Sequence, residues 1–95
     1  MTNPPKLAVT HNPQAGRFEI EKGGHLAVLE YKLVDGKIVF THTGVPEALG
    51  RQGLGSRLAV AGLEYARAQG LKVVPLCPFI AKYLQKHPEY QALVK

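Results

Sequence analysis

The chain has 95 residues, 45% hydrophobic and 20% charged, which fits one small globular domain and excludes a disordered or low-complexity polypeptide. No apolar run approaches the length of a membrane span, the N-terminal stretch MTNPPKLAVTHNP has no apolar signal core, and the lone Cys77 excludes an intramolecular disulfide framework and suits the cytoplasm. The formal charge of +5, from 12 Lys and Arg against 7 Asp and Glu, points to an anionic partner without separating a nucleic acid from a phosphorylated cofactor, and solubility alone accounts for it equally well.

Residues 1–5 are expected to form a flexible tail, and residues 6–95 one domain. Residues 6–11 (KLAVTH) are β-prone, and Asn12-Pro13 and Ala15-Gly16 mark a turn. Residues 17–21 (RFEIE) alternate, with Phe18 and Ile20 on one side, as in a half-buried strand. Gly23-Gly24 breaks it. Residues 25–34 (HLAVLEYKLV) form a second strand, and Asp35-Gly36, a strong hairpin signal, leads into its partner at 37–45. The period then changes. Leu54, Leu58, Ala61, Tyr65 and Ala68 follow helical spacing, and Ala59, Val60, Gly62, Leu63 and Ala66 widen that apolar surface. Arg57, Glu64 and Arg67 make a polar stripe, and Gly70 stops the helix. Residues 71–76 (LKVVPL) read as a buried strand whose regular pairing ends at Pro75. Pro78 opens a second helix over 78–87, closed by Pro88. The tail EYQALVK adds one more turn or a short edge strand. The order of strands, helix, strand, helix makes an α+β domain without repeats or linkers.

Three glycines, Gly50, Gly53 and Gly55, crowd the point where the first helix begins. Glycine is a poor helix former, but at a helix start it exposes backbone N–H groups, and the helix dipole favours an anion there. A P-loop is excluded because Gly53 and Gly55 are followed by Leu54 and Ser56, with no Gly-Lys pair. The dinucleotide fingerprint is excluded by Leu58 at its third glycine, and by the meander that precedes the turn in place of a βαβ unit.

The stretch Gly50-Arg51-Gln52-Gly53-Leu54-Gly55 resembles the Gln/Arg-x-x-Gly-x-Gly/Ala turn of GNAT-superfamily acyltransferases. Together with His42-Thr43-Gly44-Val45-Pro46-Glu47, Lys72-Val73-Val74-Pro75-Leu76-Cys77-Pro78-Phe79 and His87-Pro88-Glu89-Tyr90, it resembles the minimal, single-domain YjdJ-type N-acetyltransferases of that superfamily, over residues 17–94. The resemblance implies a compact GNAT-like fold, with a meander followed by helix-strand-helix and a mixed sheet carrying a V-shaped split between the strands at 38–46 and 71–76. It implies acetyl-CoA or coenzyme A as cofactor. Thr43, Gly44 and Val45 would line the split, and the turn from Gly50 through Arg51, Gln52, Gly53, Leu54, Gly55 and Ser56 would hold the pyrophosphate, with charge added by Arg51 and Arg57, although a solvated surface role suits Arg57 equally. Two positions depart from the pattern. Gly50 stands where a Gln or Arg side chain is usual, and Gly44 where Glu is frequent.

Acetyl transfer needs a positioned thioester, a neutral amine and donors for the developing oxyanion. Cys77, between a strand end and a helix start, has the position of an activated thiol, although a lone cysteine is also a common inert core residue. The resemblance places this cysteine facing the acetyl group, as nucleophile or as a residue that positions the thioester. Tyr83 resembles the tyrosine that protonates the leaving thiolate in larger relatives, one residue short of their spacing; core packing is its other reading. His42 has a suitable pKa for a base, unless strand alternation turns it to solvent or into a core hydrogen bond. His87 reads as a helix-end residue. Four scattered His and one Cys give no metal-ligand spacing. The sequence therefore points to an acetyl-CoA-dependent N-acetyltransferase with an unidentified amine acceptor. A CoA-binding or regulatory module without turnover is the alternative. A nucleic-acid binder is a weaker one, for the basic residues are dispersed and no aromatic ladder accompanies them.

Overall fold

The computed structural model describes residues 8–50 and 53–94. The expected tail, the start of the 6–11 stretch, and Arg51 and Gln52 lie outside the described residues. Strands β1 (Thr10–Asn12), β2 (Arg17–Lys22), β3 (His25–Val34) and β4 (Lys37–Gly44) are followed by a 3₁₀ turn at Glu47–Leu49 and helix α1 (Leu54–Gln69). Strand β5 (Lys72–Pro75), helix α2 (Pro78–Lys86) and a 3₁₀ helix (Pro88–Leu93) complete the order. The five strands form one sheet in the order β1-β2-β3-β4-β5, with the first four antiparallel and β5 parallel to β4. This is a mixed α+β sheet of the GNAT-like kind that the sequence predicts.

The turn chemistry explains the meander. Asp35 (φ 49°) and Gly36 (φ 77°) are both left-handed, as a two-residue hairpin requires when Val34 pairs with Lys37. The Asn12 carboxamide oxygen accepts from the Ala15 N–H at 3.2 Å and closes the first turn. Strand β1 is shorter than the 6–11 stretch suggests: Ala8 and Val9 are not strand, and only Thr10, His11 and Asn12 pair with β2. The strand after Asp35-Gly36 ends at Gly44 rather than Val45, and β5 occupies only the middle of residues 71–76. Helix α1 has the predicted limits, with Gly70 closing it at φ 68° and its N–H reaching back to the Ala66 and Arg67 carbonyls. Helix α2 stops one residue early, at Lys86, and the chain beyond Pro88 makes 3₁₀ turns rather than an edge strand.

Both helices pack on one face of the sheet. Phe18 and Ile20 of β2, Ala27, Leu29 and Tyr31 of β3, Ile38 and Phe40 of β4 and Val73 of β5 alternate onto that face. They meet Leu54, Leu58, Ala59, Leu63 and Ala66 of α1, and Ile80 and Leu84 of α2. Each large side chain buried there stabilises the fold by roughly 1.5–3 kcal/mol. Val60 and Ala68, predicted on the apolar surface of α1, are exposed instead, because the sheet covers a narrower arc of the helix. At the β1 edge of the sheet, His11 stacks on Phe18 (4.2 Å, 10°), meets Tyr65 edge-on, and shares a 2.6 Å hydrogen bond with the Tyr31 hydroxyl.

One irregularity in β4 positions everything that follows. Tyr31 pairs with Phe40, but the next residue of β3, Glu30, pairs with His42, so Thr41 is an extra, bulged residue. Its hydroxyl donates to the Glu30 carbonyl at 3.3 Å. The bulge shifts the alternation. Phe40 and Thr43 face the helices, whereas His42 and Gly44 lie on the opposite face.

Candidate functional site

The pairing of β4 with β5 runs from Lys37↔Lys72 to Phe40↔Pro75. Proline lacks an N–H, and past it the Cys77 N–H donates to the Phe40 carbonyl at 2.9 Å. Beyond that bond the two segments part. Thr43 and Gly44 stay paired with β3, and no pairing links them to the β5 side among the described residues. This is the V-shaped split.

An open cleft of about 440 Å³ lies where the split meets the helix starts, lined by Thr43, Val45, Gly50, Gly53, Leu54, Gly55, Ser56 and Phe79. Helix α1 begins on this cleft without a side-chain cap and without an acidic residue in its first turn. Its N-cap, Gly53, is left-handed (φ 68°, ψ 24°), a conformation that residues with a Cβ adopt only with strain. The first-turn amides and the positive end of the helix dipole are thus left available to an anion. Gly50 is ordinary helical backbone (φ −67°), so its conformation does not demand glycine. Gly55 has a different reason from the one its motif suggests: a Cβ there would lie 2.7 Å from Phe79 Cζ. The missing side chain makes room for the Phe79 ring where α1 meets α2.

Cys77 is the N-cap residue of α2 (φ −71°, ψ 124°) and is only 2% exposed. Its Sγ lies 3.0 Å from Thr43 Oγ1, within hydrogen-bond range with either atom as donor. Thr43 therefore stands between the thiol and the cleft. The bulge at Thr41 creates this pair, since unbroken alternation from Phe40 would have turned Thr43 away from the helices.

The other two catalytic candidates are not gathered at this point. His42 is exposed on the opposite face, its Nε2 3.1 Å from where a Cβ on Gly44 would stand. A Glu at position 44 would project to that same outer face. Tyr83 belongs to a neighbouring hollow of about 150 Å³, lined by Ser56, Phe79, Lys82, Tyr83, Lys86 and His87. Its ring stacks on His87 (4.0 Å, 19°), and burial raises its phenol pKa, helped by the nearby Glu89 carboxylate. Arg57 is exposed. Arg51 and Gln52 of the turn lie outside the described residues. No group of three or more His, Cys, Asp or Glu could hold a metal among the described residues. Among the described residues, no helix is long and apolar enough to cross a membrane.

Sequence reasoning missed Phe79 as the shared wall of the two hollows, and Lys82 and Lys86 beside it. The i, i+4 spacing of those lysines on a helix bearing Tyr83 was the available signal.

Comparison with known proteins agrees with this architecture. A profile of the GCN5-related N-acetyl-transferase family matches residues 17–93. Protein NATD1 of Mus musculus is 34% identical over 90 residues, covering 92% of this chain and 82% of the relative. Protein NATD1 of Homo sapiens is 33% identical, covering 92% and 80%. The NMR solution structure of a protein from Staphylococcus aureus, described as GCN5-like, superposes with a TM-score of 0.73 at 34% identity, covering 93% of this chain and 87% of that one.

Proposed function

This chain belongs to the GCN5-related N-acetyltransferase family, and from that premise we propose that it transfers the acetyl group of acetyl-CoA to an amine. The observation that carries the reading is the cleft itself, where a strand edge free of β5 meets an uncapped helix start. The residues present fit the cofactor. The edge of β4 at Thr43 and Gly44, and Val45 just past its end, offer backbone groups to the amide-bearing pantetheine arm, and the amides of Gly53, Leu54, Gly55 and Ser56 suit the pyrophosphate. When bound, acetyl-CoA supplies an activated thioester. Thr43 then stands at the acyl end with Cys77 behind it.

Cys77 has two compatible roles. As nucleophile, its sulfur would bond to the acetyl carbon as the thioester C–S bond breaks, its proton passing to the departing CoA sulfur, and the amine would then displace the cysteine and return a proton to it. As positioning residue, it holds Thr43 in register while the amine attacks the thioester directly. Burial of the thiol and its bond to Thr43 favour the second role.

A ligand present at a hundredfold over its Kd stabilises the folded state by about 2.7 kcal/mol. For a chain of this size that raises Tm by about 10 °C or more. No shift with saturating acetyl-CoA rejects the reading. A panel of amines with CoA release as readout then identifies the acceptor class, and binding without release for any amine identifies a CoA-binding module instead. Intact mass after incubation with acetyl-CoA separates the two roles of Cys77: an acetyl adduct lost in Cys77→Ala marks the nucleophile.

A further inference from the structure

The hollow beside the cleft has a chemistry that the acetyl-transfer site does not use. Lys82 and Lys86 are four residues apart on α2, so they share one face of the helix and their charges repel. Both are exposed, and among the described residues neither makes an ion pair. The stacked rings of Tyr83 and His87 form a wall of the same hollow beside them. The Glu89 carboxylate, three residues on from Lys86, is turned to His87 Nδ1 at 3.4 Å. The hollow shares two residues with the cleft, Ser56 of the α1 first turn and Phe79. A ligand with one anionic group over the α1 start thus has a second cationic position directly beyond it.

We propose that Lys82 and Lys86 bind the 3′-phosphate on the ribose of CoA, and so distinguish CoA from its dephosphorylated form. This rests on the CoA reading above. A phosphomonoester carries close to two negative charges at neutral pH, and lysine ammonium groups are strong point-charge partners for it. Two lysines that make no ion pair among the described residues are matched to such a group, and a neutral 3′-hydroxyl leaves their repulsion in place. The lysines select the cofactor, and the cleft holds its reacting end.

The test is a binding cycle by titration calorimetry at fixed ionic strength, with CoA and 3′-dephospho-CoA against the wild-type chain and the Lys82→Ala/Lys86→Ala variant. The wild type should bind CoA about tenfold or more tightly than dephospho-CoA, as expected for a charge-assisted contact. The variant should lose that preference, binding CoA as weakly as dephospho-CoA while its affinity for dephospho-CoA stays unchanged. A Lys82→Arg/Lys86→Arg variant should keep the preference. Equal wild-type affinity for the two ligands overturns the proposal, as does a variant that weakens both equally. Failure of the wild type to bind either ligand overturns the CoA reading itself, and this proposal with it.

Discussion

The two halves of β4 have opposite surroundings. From Lys37 to Phe40 the strand is paired on both sides, and Ile38 and Phe40 are fully buried. From His42 to Gly44 it is paired only with β3, and none of its side chains is fully buried. A single extra residue, Thr41, divides them. The first half contributes to stability through packing. The second gives up pairing with β5, and the backbone freed there borders the cleft beside the Thr43 side chain, whose hydroxyl is bonded to Cys77. Eight residues of one strand thus move from core to site with no change in secondary structure.

That contrast can be broken most severely from the buried half. Phe40→Ala removes a fully buried ring and should cost about 3–5 kcal/mol in urea unfolding. Gly62→Ala attacks the same half from the helix side. Its Cβ would stand 2.9 Å from Leu29 Cδ2 and from Phe40 Cε1 and Cζ, with no open space to relieve the clash. A loss of about 1–3 kcal/mol is expected, against the small gain that alanine normally brings to a helix. A more stable Gly62→Ala protein would show that the helix rides higher on the sheet than described.

The open half should respond in the other measurement. Thr43→Val ought to change unfolding free energy by no more than about 1 kcal/mol, yet lower the rate of CoA release about tenfold by removing the partner of Cys77. Thr43→Ser should restore it. Equal rates for Thr43→Val and wild type would deny the open half its chemical role.

The smallest effect belongs to neither half and serves as a control at the far edge of the sheet. Burial among Phe18, Tyr31 and Tyr65 lowers the His11 pKa below its ordinary 6.5. The unfolded chain then binds more protons than the folded one, so this contribution is present above about pH 6.5 and is lost as the pH falls below it. Tm should drop between pH 7.5 and 5, and more steeply in wild type than in His11→Phe. A parallel slope in the two proteins would remove His11 from the account.

The same division explains what could be read from the sequence. Helix α1 was legible to the residue, because its apolar spacing and Gly70 are local signals. The hairpin at Asp35-Gly36 was legible for the same reason. The split was implied by resemblance and by Pro75. The bulge was not legible: alternating apolar residues do not announce an extra residue at Thr41, and without it the faces of His42 and Thr43 are reversed. The contact of Phe79 with Gly55 also escaped notice, since it joins two helices whose packing no local pattern encodes. Cys77 could be singled out by its position between strand and helix, but its pairing with Thr43 depends on the unread bulge.

The Cys77 amide that donates to the Phe40 carbonyl is at once the last rung joining the two strands and the point from which α2 departs. One backbone contact thus ties the closed end of the split to the N-cap residue of the helix that carries Phe79, Lys82 and Lys86, so the cleft and the hollow beside it share a single anchor.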